Sequence, residues 1–116
     1  MKISQLGIES LKILETGGKY LKTWVKDADG YSIGYGHFKQ PADNFDNITK
    51  EFAEALLKKD VEIAENKIKK AIKVDLNQNQ FDALVIFAYN TGRSSSDLYT
   101  MINNKSDIES IVRWWN

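Results

Sequence analysis

Thr23-Trp24-Val25-Lys26-Asp27-Ala28-Asp29-Gly30-Tyr31-Ser32-Ile33-Gly34-Tyr35-Gly36-His37 is the stretch on which the fold turns. Thr23-Trp24-Val25 and Tyr31-Ser32-Ile33 are short runs of β-branched and aromatic residues, side chains that suit a pleated, half-buried surface. Asp27-Ala28-Asp29-Gly30 separates them and ends in Asp-Gly, a pair that supplies the positive φ demanded by tight hairpin turns. One β-hairpin is therefore predicted here. The second run continues through Gly34-Tyr35-Gly36-His37, whose two glycines point to a tight bend or to a ligand approaching the backbone closely.

Helical patterns lie on both sides of the hairpin. Upstream, Ser4 is placed as an N-cap with Ile3 and Ile8 flanking it at the spacing of a hydrophobic staple. Ile8, Leu11 and Leu14 recur at helical spacing, and Gly17-Gly18 end the helix. Downstream, Pro41 sits in a polar loop ending near Asn47. Thr49 then caps a long helix running to about Ile72, with Ala53, Leu57, Val61, Ala64, Ile68 and Ala71 as its buried stripe. Asn77 caps a third helix carrying Phe81, Leu84, Val85, Ala88 and Tyr89, ended by Gly92. Shorter helices are expected at Asp97–Ile102 and Asp107–Trp115, the second opened by a capping box of Ser106 and Glu109. One hairpin set among helices is an α+β arrangement, mostly α. No repeat or linker divides the 116 residues, so residues 1–116 read as a single domain.

The charge balance excludes several functions. Sixteen basic residues face sixteen acidic ones, without the basic excess that nucleic-acid binding requires. The absence of Cys removes disulfides and thiolate metal sites. A single His removes the zinc motifs, so no metal and no cofactor are expected. The N-terminal MKISQLGIESLKILE has no continuous hydrophobic run and reads as neither a signal peptide nor a membrane span. The expected product is cytoplasmic, with no membrane insertion.

Glu15 stands out among the ionisable residues. It lies seven residues after Ile8 and four after Leu11, on the apolar stripe of the first helix and in its last turn, where unpaired carbonyls make the field negative. Burial and that field both disfavour a carboxylate, so a raised pKa is expected. A carboxyl group that stays protonated near neutral pH can act as the acid that protonates a leaving oxygen. On position alone, an ordinary ion pair with Lys12 or Lys19 is the commoner outcome for such a residue. Asp27 and Asp29 are candidates for a second carboxylate, although turn chemistry by itself explains both. Asp60 falls on the stripe of the long helix and needs a partner. The lone His37 is a natural one, and the pair reads as structural. Lys67, Lys69, Lys70 and Lys73, interleaved with Glu62, Glu65 and Asp75, read as a solvated helix face.

Three motifs together resemble a known family. Ser32-Ile33-Gly34-Tyr35-Gly36-His37 resembles the Thr-Ile-Gly-Tyr-Gly-His signature of the phage-type lysozymes. Ile48-Thr49-Lys50 through Ala53–Val61 is similar to the start of that family's long helix. Leu76–Val85, followed by Phe87-Ala88-Tyr89-Asn90-Thr91-Gly92, is similar to its most recognisable helix. The resemblance implies a lysozyme-like fold, with a small β lobe and a helical lobe around a cleft. It implies a muramidase that hydrolyses the β-1,4 bond between N-acetylmuramic acid and N-acetylglucosamine in bacterial peptidoglycan, with inversion. On the same resemblance Glu15 is the general acid, Asp27 helps to activate water, and Ser32 stands where the family has a water-positioning Thr. His37 and Asp60 match a structural ion pair, and Phe38, Tyr89 and Asn90 match residues that contact the sugar chain.

Three departures from the family accompany it, one being Ser32 in place of that Thr, which keeps the hydroxyl and loses a methyl that limits its rotamers. Eleven residues separate Glu15 from Asp27 and four separate Asp27 from Ser32, where the family has a shorter first interval and a longer second one. The hairpin is rebuilt, and Asp29 is the alternative second carboxylate. The family's usual C-terminal helix is also not found after Trp114-Trp115-Asn116, so either a compact variant or a partner completing the C-terminal lobe is expected. Action on the cell wall would require release or delivery from the cytoplasm. Two other functions compete with an active muramidase: a catalytically silent lysozyme-fold domain of a virion or secretion machine, and a lytic transglycosylase.

Overall fold

A computed structural model describes residues 1–27, 30–91 and 96–104. Helix α1 (Gln5–Thr16) leads into strands β1 (Leu21–Asp27), β2 (Gly30–Gly34) and β3 (His37–Phe38). Three helices follow: α2 (Lys50–Ala71), α3 (Gln78–Thr91) and α4 (Ser96–Asn103). The strands form one antiparallel sheet in the order β1-β2-β3. The architecture is thus mostly α with a small sheet, as expected. The expected helix at Asp107–Trp115, with Ser106 and Glu109, lies outside the described residues, as do Asp29 and Gly92. Among the described residues no helix is long and apolar enough to cross a membrane.

The chain divides into two compact units, one of residues Ser4–Ile63 and one of Met1–Ile3 with Ala64–Asn116. In the first, α1 begins where Ser4 Oγ accepts the Gly7 N–H at 3.0 Å. It ends at Gly17, whose φ of 67° is the left-handed value glycine adopts at low cost. The Gly17 and Gly18 amides turn back onto the carbonyls of Ile13 and Lys12 and satisfy acceptors that the helix leaves open. A Ser4→Ala variant is expected to lose about 1 kcal/mol, read as a lower urea midpoint at unchanged slope.

The buried face of α1 differs from the expected one. Leu11 is fully buried and Lys12 is buried too, while Leu14 is 67% exposed. Helical geometry gives the reason: positions 8, 11, 12 and 15 follow the i, i+3, i+4, i+7 progression of one face, and position 14 is turned away from it. Ile33, Tyr35, Ile48, Ala53, Leu57 and Val61 complete the apolar interior of this unit. Thr49 Oγ1 accepts the Phe52 N–H at 3.1 Å and so caps α2 as the sequence predicts. The loop before it is fixed by aromatics. Trp24 Nε1 donates to the Phe45 carbonyl at 2.7 Å and the two rings stack, while Phe45 meets Phe52 edge-on.

In the second unit, the later part of α2 buries Ala64, Ile68 and Ile72, α3 buries Phe81, Leu84, Val85 and Ala88, and α4 buries Leu98 and Tyr99. Asn77 and Gln80 cap α3 reciprocally. The Asn77 side chain accepts from Gln80 N at 2.8 Å and the Gln80 side chain accepts from Asn77 N at 3.0 Å. Asn103 closes the end of α2 by donating to the Ala71 carbonyl and accepting from the Lys73 N–H. Glu65, expected on a solvated face with Lys67, Lys69, Lys70 and Lys73, is buried. Its Oε2 accepts the Ile3 N–H at 2.7 Å, so the N-terminal strand of chain supplies the partner that a buried carboxylate requires. The four lysines are exposed.

Candidate active site

Glu15 sits one residue from the end of α1, half-buried. Its Oε1 is sealed from solvent and has no hydrogen-bond partner. Its Oε2 faces the bend between β2 and β3: a methyl group built on Gly36 would lie 2.9 Å from that oxygen and 3.3 Å from the carboxyl carbon. The Gly36 φ of 92° is also one that L side chains rarely adopt. The second glycine of Gly34-Tyr35-Gly36 is thus needed for a close approach, and the group that approaches is the Glu15 carboxyl. Burial removes water from the charged form more than from the neutral one and holds the Glu15 pKa above the ordinary carboxylate value.

The ion pair open to Glu15 from sequence position does not form with Lys12. Lys12 Nζ reaches Glu54 Oε1 at 2.7 Å and Glu9 Oε1 at 3.6 Å, and it lies 4.8 Å above the Tyr35 ring. Burial lowers the Lys12 pKa, but the Glu54 carboxylate outweighs it and the net direction is upward. Tyr35 donates its hydroxyl to the same Glu54 oxygen at 3.3 Å. Apart from the Lys12–Glu9 pair, these contacts link residues far apart in sequence, and no local motif marks them.

Asp27 ends β1, its backbone paired with Gly30, and the sheet holds Ser32 between Val25 and Phe38. Ser32 is half-buried. Phe38 is 45% exposed, and its ring packs over Gly30 closely enough that a Cβ there would lie 2.7 Å from the ring edge. Glu15, Ser32 and Phe38 therefore fall in the unit Ser4–Ile63, together with the backbone of Asp27. Tyr89 and Asn90 fall in the other, near the end of α3, Tyr89 half-buried and Asn90 exposed.

His37 carries two carboxylate partners, one more than the sequence analysis assigns. Its Nδ1 lies 2.6 Å from Asp60 Oδ2 and its Nε2 lies 2.9 Å from Asp43 Oδ2. An imidazole facing acceptors at both nitrogens must donate from both, which is the cationic form. The Asp60 hydrogen bond is the largest cause of a raised His37 pKa; burial opposes it and Asp43 reinforces it. For Asp43, burial works toward protonation, but the Gln40 N–H and the His37 cation prevail and hold its pKa low. Asp43 lies in the proline-containing loop, which has no periodicity, so nothing in its spacing announces a partner for His37. Among the described residues no group of three His, Asp or Glu side chains is arranged to hold a metal ion.

The arrangement offers a carboxyl with a dry oxygen and a raised pKa, a hydroxyl on a strand and an exposed aromatic ring. Known proteins resemble the chain in sequence and in fold. The phage lysozyme family matches residues 15–116. The endolysin of Bacillus phage PZA is 45% identical over 102 residues, 83% of this chain, and the chain spans only 39% of that protein's length. Among solved structures, the endolysin from Escherichia coli O157:H7 phage FAHEc1 superposes with a TM-score of 0.78 at 32% identity, over 100% of this chain and 77% of its own. The muramidase domain of SpmX from Asticaccaulis excentricus does so with a TM-score of 0.72 at 34% identity, over 90% of this chain and 71% of its own. A family match over most of the chain, with lysozyme-fold neighbours that share a third of its residues, has one explanation: this chain belongs to the phage lysozyme family.

Proposed function

We propose that the chain is a muramidase, hydrolysing the β-1,4 bond between N-acetylmuramic acid and N-acetylglucosamine in bacterial peptidoglycan. The observation that carries this reading is the Glu15 carboxyl, one oxygen of it buried without a hydrogen-bond partner and its pKa raised by burial, beside a backbone made bare by Gly36. Glu15 donates its proton to the glycosidic oxygen as that bond breaks. On the other face of the sugar ring, the Asp27 carboxylate takes a proton from water, and the Ser32 hydroxyl orients that water as it attacks the anomeric carbon. Acid and base on opposite faces give inversion. Phe38 offers its exposed ring to the glycan, and the family resemblance assigns Tyr89 and Asn90 a sugar-contacting role as well. The His37–Asp60 pair, joined by Asp43, holds β3 in place and takes no part in proton transfer.

The test is incubation with purified peptidoglycan, followed by analysis of the new chain ends. Hydrolysis leaves reducing ends and consumes water, so for each bond cleaved one oxygen from labelled water enters the new reducing end, and the other product keeps the glycosidic oxygen. Anhydro-muramic ends without label would identify a transglycosylase and overturn the assignment of Asp27 and Ser32. No new ends of either kind, from folded protein, would overturn the enzymatic reading altogether. Ser32→Ala is expected to lower kcat about fivefold to tenfold with little change in KM, the equivalent of about one hydrogen bond to the water. Ser32→Thr, which keeps the hydroxyl and restricts its rotamers, is expected to retain activity.

A further inference from the structure

Lys12 and Glu15 are three residues apart on α1, a separation that puts their Cβ atoms about 5–6 Å from each other on one helix face. A flexible ammonium three residues from a carboxyl with a buried, unpartnered oxygen would ordinarily swing over and pair with it. Lys12 does not. It is 9% exposed, its Nζ is bound at 2.7 Å to Glu54 on α2, and the Tyr35 ring lies beneath it at 4.8 Å. Tyr35 donates to the same Glu54 oxygen, and the next residue along, Gly36, borders the Glu15 carboxyl.

Building on the role given to Glu15 above, we propose that Glu54 is a positioning residue for that acid: it anchors the Lys12 ammonium toward α2 and so keeps a cation away from the group that must stay protonated. A cation within about 4–6 Å of a carboxyl favours the ionised form, and an ionised Glu15 has no proton to give. Lys12 and Glu9 on its own helix, Tyr35 in the β2–β3 bend and Glu54 on α2 form one connected cluster. Among the described residues none of these charges contributes to the raised Glu15 value, which burial alone produces. The isolation of Glu15 is therefore a consequence of where Lys12 is held.

The experiment is a titration of the Glu15 side-chain carboxyl by carbon NMR in wild type, Glu54→Ala, Lys12→Met and the double variant. Glu54→Ala is expected to lower the Glu15 midpoint enough to reduce its protonated fraction near neutral pH about tenfold. Glu54→Gln, which keeps shape but not charge, moves it in the same direction. In the Lys12→Met background the midpoint stays raised, and removing Glu54 no longer shifts it. The proposal is overturned if Glu54→Ala leaves the midpoint in place. It is equally overturned if the shift is undiminished in the Lys12→Met background, because Glu54 would then act through its own charge or through the fold. The titration needs no substrate. Peptidoglycan hydrolysis without the shift refutes the Glu54 role alone, and the shift without hydrolysis refutes the muramidase reading alone.

Discussion

Glu15→Gln is expected to lower peptidoglycan hydrolysis by about three orders of magnitude and, in the same molecule, to stabilise the fold at neutral pH. The first effect follows from removing the proton that Glu15 transfers, since general acid catalysis contributes about 10²–10⁴-fold. The amide retains the size of the side chain, so substrate binding and KM should change little. The second effect follows from linkage. A carboxyl whose folded pKa lies above its unfolded one binds more protons in the folded state, so stability falls as pH rises from the ordinary Glu value, 4.5, toward the raised one. Above the raised value the whole loss is present. Glutamine carries no such titration, so the variant should melt higher than wild type at neutral pH, and the difference should vanish as the buffer is taken below about pH 4. Thermal melts across that range, beside reducing-end assays, test both halves. A variant that keeps near-full activity would remove Glu15 from the mechanism. Loss of activity with a lower melting temperature at pH 7 would mean that the carboxylate is a structural pair member after all.

His37→Ala carries the largest expected stability loss, about 3 kcal/mol, taken at the lower end of the range for breaking a buried ion pair because Asp60 is partly exposed. The imidazolium ties three separate segments: β3, the loop holding Asp43, and the middle of α2 at Asp60. Without it, two carboxylates face each other across an empty site. The pH dependence has a sign at each end. His37 is raised in the fold, so its contribution is complete below the ordinary imidazole value, 6.5, and fades as pH rises through the folded one. Asp43 is lowered, so its contribution is complete above the ordinary 3.8 and is lost as pH falls through the folded value. The trio should therefore stabilise most between about pH 4 and 6.5. Urea unfolding of wild type and variant at pH 5.5 and pH 9 should show the gap narrowing at the higher pH. A gap that widens there would mean that the imidazole is held neutral.

Much of the fold is legible locally because its determinants lie within a few residues of one another. Ser4, Thr49 and Asn77 cap helices through groups three residues ahead, Gly17-Gly18 close α1 through carbonyls just behind, and Asp27 meets Gly30 across the hairpin. Periodicity finds the buried stripe of α2 for the same reason, since its interval is set by the helix itself. Local periodicity was weaker on α1. It pointed to Leu14, while the folded helix turns Lys12 inward, a residue whose burial depends on Glu54 being 42 positions away in the chain and 2.7 Å away in space.

The sequence by itself determined helices α1 to α4, the hairpin between them and the exceptional placement of Glu15 at the end of an apolar face. Only the tertiary structure decided which charges Glu15 and His37 meet. It paired Lys12 with Glu54, brought Asp43 to the second nitrogen of His37, set Gly36 against the Glu15 carboxyl and gave Glu65 to the Ile3 amide. The physical reason is that capping and periodicity are short-range geometry written into spacing, whereas an ion pair needs only two opposite charges brought together by folding. Spacing does not say which of sixteen acids will meet which of sixteen bases.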